Sequence, residues 1–153
     1  MDNNHKLALG WREWVALPDL GLPAIKAKID TGAKTSALHA YYTEQYQLDD
    51  VDMVKFLIHP IQMNYEFYVE CHAPIFDYRE VSDSGGHKEM RYVIETNIVI
   101  GTEQWPIELT LTNRDTMRFR MLLGRRAMEN NAIVEPGASY LNGKLKAKKL
   151  YQL

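Results

Sequence analysis

Apolar residues recur at every second position through much of this chain, a spacing that suits strands rather than helices. In WPIELTLTN (105–113), Trp105, Ile107, Leu109 and Leu111 share one face while Glu108, Thr110 and Thr112 take the other. In AIKAKI (24–29), Ile25, Ala27 and Ile29 oppose Ala24, Lys26 and Lys28. RYVIETNIVI (91–100) reads as a long strand, and the GTEQ that follows joins it to 105–113 as a hairpin. MVKFLIHP (53–60) and YEFYVEC (65–71) read as a second hairpin about a short break at Gln62, Met63 and Asn64. MRFRMLLG (117–124) runs into the nearly continuous apolar stretch of a buried strand. A helical pattern begins only after Gly124, over RRAMENN, and is about two turns long. The tail, SYLNGKLKAKKL, predicts a last hairpin around Asn142-Gly143. The expected architecture is all-β: a closed β-barrel with one short helix after Gly124-Arg125, as a single domain over residues 1–153.

Composition narrows the function classes. With 46% hydrophobic and 25% charged residues, the chain can bury an ordinary core. A formal charge of −2 gives no global attraction to nucleic acid or an anionic membrane. Cys71 is the one cysteine, so no intramolecular disulfide can form, and a reducing compartment fits best. The N-terminal stretch lacks the pattern of a secretory signal, and no apolar run approaches a membrane span. A cytoplasmic protein is expected.

The chemistry concentrates in IKAKIDTGAKTSALHA (25–40). A strand ends at Ile29 and Asp30-Thr31-Gly32 follows in a tight turn, so the Asp30 carboxylate sits on a rigid element, as catalysis requires. Gly32 permits a tight turn, and the Thr31 hydroxyl can bond across a neighbouring loop. Alone, this tripeptide is common turn chemistry. A second motif shifts the balance: far downstream, MLLGRRAM sets an apolar run, then Gly124-Arg125, then a helix. Between them, YREVSDSGGHKEMRYV places Ser84, Gly85 and Gly86 at a Gly-rich centre between two β-like arms, where a plain surface turn is the simpler alternative. Asp83-Ser84-Gly85 has no hydrophobic strand running into it and reads as a turn rather than a second catalytic motif.

A strand, Asp-Thr-Gly and a distant apolar-Gly-Arg-helix junction together resemble the retropepsins, the single-domain aspartic proteases of retroviral type. That resemblance implies a glycine-rich flap at Ser84, Gly85 and Gly86 over the substrate, catalytic Asp30, Thr31 and Gly32, and Gly124 and Arg125 as structural support beneath the loop. One Asp-Thr-Gly is half of the dyad, so a C2 homodimer would supply Asp30 twice. The chain departs from the retroviral pattern at Lys34, where an acid would pair with the arginine; the acceptor for Arg125 is left open. With Arg114 and Arg118, Lys34 would make a cationic, substrate-binding cleft suited to acidic peptides, solvated surface charge being the alternative for all three.

From Gly10 to about Tyr140 the sequence is similar to the RimK-associated family, whose members carry the label ATP-dependent zinc protease. This implies a functional link to an ATP-grasp glutamate ligase and to acidic or glutamate-tailed substrates. The residues do not suit the label. No two of His5, His39, His59, His72 and His87 have the spacing of helical zinc ligands, and no HExxH or phosphate-binding glycine loop occurs. No metal and no cofactor are expected. The rival to hydrolysis is a non-catalytic module that clasps an acidic peptide or a ligase.

Overall fold

The two-residue alternation becomes strand in a computed structural model that describes residues 6–83, 85–114 and 118–153. Twelve strands are described: β1 (Leu7–Leu9), β2 (Arg12–Leu17), β3 (Leu22–Ile29), β4 (Ser36–His39), β5 (Tyr42–Leu48), β6 (Val51–Ile58), β7 (Val69–Pro74), β8 (Asp77–Ser82), β9 (Lys88–Ile100), β10 (Glu103–Thr112), β11 (Met121–Leu123) and β12 (Ala132–Val134). Two single-turn helices accompany them, α1 (Arg125–Met128) and α2 (Ala147–Leu150). The fold is mostly β, as the alternation requires.

The main sheet runs β10-β4-β11-β3-β2-β9-β8, and β9 also pairs with β10. β9 is long enough for both tasks: its first half pairs with β8, and its second half forms the expected hairpin with β10 across Gly101. β11 lies parallel to β3 and antiparallel to β4, which inserts the downstream segment between the two arms that flank Asp30. A separate sheet, β5-β6-β7, packs its apolar face on the same core. Ile25, Ala27 and Ile29 of β3 face that core with Leu109 and Leu111 of β10, Met121 and Leu123 of β11, and Phe56 of β6. Each large side chain buried in this way contributes about 1.5–3 kcal/mol.

Four expectations need correction. The second arm of the 53–71 hairpin is β7, which starts at Val69 rather than at Tyr65. Residues 59–68 form a structured loop instead, because Asn64 Oδ1 accepts the N–H groups of Glu66 and Phe67 at 3.0 and 3.1 Å, and Met63 takes a positive φ. The predicted strand 117–124 is shorter: Met117 is outside the described residues, 118–120 are bends, and only Met121–Leu123 joins the sheet. α1 stops after one turn, since Glu129 leaves helical geometry and Asn130 turns left-handed. The Asn142-Gly143 hairpin is absent from the tail, and α2 follows the turn there, giving two short α-helices where one was expected. The tail is held instead by the buried Glu13, whose carboxylate accepts the N–H groups of Gly10, Leu141 and Asn142 at 2.7, 3.0 and 3.2 Å.

Candidate active site

Asp30 leaves the end of β3 with its backbone pinned on both sides. Its N–H donates to the Leu123 carbonyl at 2.9 Å, and its own carbonyl accepts from Ala33 at 3.3 Å. The Gly32 N–H donates to Asp30 Oδ1 at 2.9 Å, which orients the carboxylate within its own turn. Thr31 is exposed; among the described residues its hydroxyl has no partner.

The Gly-Arg junction holds this turn from below. Gly124 follows β11 and comes so close to the loop that an added Cβ would lie 2.5 Å from both the carbonyl carbon and oxygen of Thr35. No side chain fits there unless the Thr35 backbone shifts. The Gly124 N–H donates to the buried Ser36 Oγ at 3.0 Å, and the N–H groups of Arg125 and Arg126 donate to the carbonyls of Ala33 and Lys34 at 2.7 and 3.2 Å. Arg125 Nη1 donates to the Thr31 carbonyl at 3.0 Å. A backbone carbonyl therefore does for Arg125 what a carboxylate at position 34 would do, and Lys34 is released to solvent.

β8 and β9 form an antiparallel arm-pair from Asp77↔Val93 to Ser82↔Lys88. Its tip is tied by Asp83: Oδ1 accepts the Gly85 and His87 N–H groups, both at 2.9 Å, and the Asp83 N–H donates to the His87 carbonyl at 2.8 Å. The His87 N–H is the largest influence on the Asp83 carboxyl; desolvation opposes it, and the Gly85 N–H and the charge of Arg114 bring the net direction below the ordinary range. Asp83 is thus turn chemistry. Gly86 has φ +80, a conformation that disfavours any side chain. Ser84, expected to bind substrate, lies outside the described residues.

A cleft of about 1280 Å³ opens between this arm-pair and the Asp30 loop. Asp30, Gly32, Lys34, Arg114 and Arg118 line it, together with Ser82 and Asp83 at the root of the tip. Thr31, Gly85, Gly86, Gly124 and Arg125 are outside its wall, the last two acting from beneath. Arg114 pairs with Asp83 at 3.7 Å, so one of the three expected cations is partly neutralised. Sequence reasoning missed Lys28 and Arg126, which also line the cleft and have no carboxylate partner among the described residues. Lys28 was legible: it stands two residues before Asp30 and so emerges on the same side of the strand.

Within the wall itself runs a polar chain, buried except at the half-exposed Glu89. Arg91 donates to Glu89 Oε1 at 2.6 Å and to Thr110 Oγ1 at 3.3 Å; the Thr110 hydroxyl donates to the Ser36 carbonyl at 2.8 Å. The Thr112 hydroxyl also donates to Glu89 Oε1, at 2.6 Å. Burial would raise the Glu89 carboxyl, but Thr112 and Arg91 outweigh it and the net direction is down. This chain joins the arm-pair, near its tip, to β4 at the far end of the Asp30 loop.

Three histidines have side-chain partners of their own, and His5 lies outside the described residues. His72 lies between Tyr46 Oη and Glu70 Oε2, at 2.7 and 2.8 Å, and His59 stacks on Tyr41. His39 Nδ1 accepts the Arg114 N–H at 3.1 Å. Among the described residues no three His, Cys, Asp or Glu side chains cluster as metal ligands. Burial, and secondarily Glu70, pushes the Cys71 thiol up to about 12, which keeps it from acting as a nucleophile near neutral pH.

An Asp-Thr-Gly turn ending one strand, a Gly-Arg junction packed against it and a β-arm pair over the resulting cleft define a retropepsin-like protein. The family model described as RimB-like, retropepsin-like aspartic endopeptidase RimB, matches residues 8–145. The chain belongs to that family. It is 46% identical over 146 residues to a "Probable alpha-L-glutamate ligase" of Parasynechococcus marenigrum (strain WH8102), covering 95% of this chain and 31% of that protein. A protein of the same name from Shewanella pealeana is 42% identical over 152 residues, covering 97% of this chain and 33% of that one. The chain therefore spans about a third of the length of the curated relatives it matches. Among solved structures, Lpg0085 of Legionella pneumophila, described as of unknown function, aligns with a TM-score of 0.73 at 26% identity, covering 89% of this chain and 98% of that one.

Proposed function

We propose that this chain is one half of an aspartic peptidase, active as a homodimer in which Asp30 of each copy faces the other across a two-fold axis. The observation that carries the reading is the placement of Asp30: on a strand end, oriented by the Gly32 N–H, clamped by Gly124 and Arg125, and open to the cleft. The exposed Thr31 hydroxyl is then left for the opposing loop. The single domain would close as a barrel through the β9–β10 and β9–β2 pairings.

Two carboxylates about 3 Å apart share one proton and hold a water between them. The ionised Asp30 takes a proton from the water as its oxygen bonds to the substrate carbonyl carbon. The protonated Asp30 gives its proton to the carbonyl oxygen. Collapse of the tetrahedral intermediate breaks the C–N bond, and the amine leaves with a proton from the dyad. Lys34 and Arg118, without carboxylate partners among the described residues, favour peptide or isopeptide substrates rich in carboxylates. The ligase names of the relatives support glutamate-tailed substrates and a glutamate ligase as functional partner. A lone, buried cysteine suits a cytoplasmic setting.

Asp30→Asn tests the reading. The variant should keep the parent's melting temperature and lose turnover of a glutamate-rich peptide; cleavage at the parental rate sinks the assignment. A folded, dimeric parent that binds the peptide but never cleaves it would instead support the binding-module reading.

A further inference from the structure

The outer faces of β2 and β3 carry a second charged feature that the cleft chemistry does not use. Arg12 pairs in register with Lys28, and Trp14 with Lys26, so all four side chains emerge on one face. The C-terminal tail folds back onto this face and sets Tyr140 among three cations: Arg12 at 4.8 Å, Lys26 at 5.9 Å and Lys144 at 5.5 Å from the ring centroid. Arg12 also lies 4.5 Å from the Trp11 ring, and Lys26 5.2 Å from that of Trp14. Among the described residues, none of Arg12, Lys26, Lys28 and Lys144 has a carboxylate partner. Arg12 Nε donates to the Ser139 hydroxyl at 3.3 Å, which positions the guanidinium without neutralising it. The nearby acid, Glu13, points the other way and is spent on three backbone N–H groups.

We propose that this strip is an exosite for an extended acidic polypeptide whose other end occupies the cleft. Three observations carry it. The strip is continuous with the cleft, because Lys28 belongs to both and Trp11, in the cleft wall, lies under Arg12 of the strip. Its spacing fits: Asp30, Lys28 and Lys26 are alternate residues, about 6.8 Å apart along a strand, and carboxylates on alternate residues of an extended chain repeat at the same interval. Its charge is local, since the whole chain carries −2. A nucleic acid fits less well, because base stacking needs open ring faces and the cations already cover Trp14 and Tyr140. The choice of a carboxylate-rich occupant rests on the substrate class proposed above; the strip itself does not depend on cleavage.

Fluorescein-labelled α-linked glutamate oligomers of increasing length, titrated into the full chain at low salt, test this. Affinity should rise with length beyond what the cleft alone can hold, and the rise should fade at high salt. Lys26→Glu with Lys144→Glu should lower affinity for the longest oligomer about tenfold while leaving that for the shortest unchanged. Should the reversed pair fold poorly by circular dichroism, Lys26→Gln with Lys144→Gln gives the same ordering with a smaller loss. Equal losses at all lengths, or none, overturn the exosite, as does tighter strip-dependent binding of an RNA oligomer of equal charge. Length-dependent binding without hydrolysis would sink the peptidase reading and leave the strip standing; hydrolysis of short oligomers without length dependence would do the reverse.

Discussion

Gly124→Ala separates backbone freedom from close packing at the point where the downstream strand clamps the Asp30 loop. Gly124 has φ −89 and ψ 173, an extended conformation that alanine adopts without strain. On the unfolded-chain side alone, the substitution would stabilise by about 0.4–1 kcal/mol. Packing opposes this: the new Cβ would sit 2.5 Å from two Thr35 backbone atoms and 3.0 Å from the Ser36 nitrogen. Backbone cannot swing aside as a side-chain tip would, so the loop must retreat by about 1 Å, at an overpacking cost of roughly 1–3 kcal/mol. The retreat also stretches the bonds from Gly124 to Ser36 Oγ and from Arg125 to the Ala33 carbonyl, each worth about 1 kcal/mol. The clash wins, with a net loss of about 2–4 kcal/mol. Urea unfolding followed by tryptophan fluorescence should show a lower midpoint at unchanged m-value, and thermal melting a fall of roughly 10 °C. The Asp30 turn moves with its loop, so turnover of a glutamate-rich peptide should fall more than binding does. A variant as stable as the parent refutes the close approach and, with it, the clamp on Asp30.

Two further outcomes follow from the Glu89 network and from the buried Cys71. Glu89 is held below the ordinary carboxylate range in the folded state, so the unfolded chain takes up its proton first as pH falls; its contribution is present above the ordinary carboxylate pKa and lost as pH drops through the lowered folded value. The stability gap between parent and Glu89→Gln should therefore be widest near neutrality and close in acid, as read by urea midpoints across that range, and a gap independent of pH would contradict the network. Cys71, buried and with its thiol pushed up to about 12, should resist a maleimide in the native protein and react at a rate that tracks unfolding in urea; prompt native labelling would overturn its burial in the core.

Elements whose cause is local were legible in the sequence. Alternation in 91–112 predicts the β9–β10 hairpin because period two is a property of the strand itself, whereas the arm-pair about Gly85 and Gly86 is implied by the family resemblance, with a plain surface turn as the alternative. The tail misleads for the opposite reason. Asn142-Gly143 is good hairpin chemistry, but Glu13, more than 120 positions away, takes up the N–H groups that a second strand would need.

The sequence by itself determined that strands would form and that an acid would stand at the end of one of them. Tertiary structure alone decided which charges meet. Arg125 finds a carbonyl rather than a carboxylate, Arg114 spends part of its charge on Asp83, and Lys26, Lys28 and Lys144 gather without an acid paired to them among the described residues. Side-chain period is written along a few neighbouring residues, whereas the partner of a charge depends on strand pairings between segments a hundred residues apart, and no local pattern encodes those.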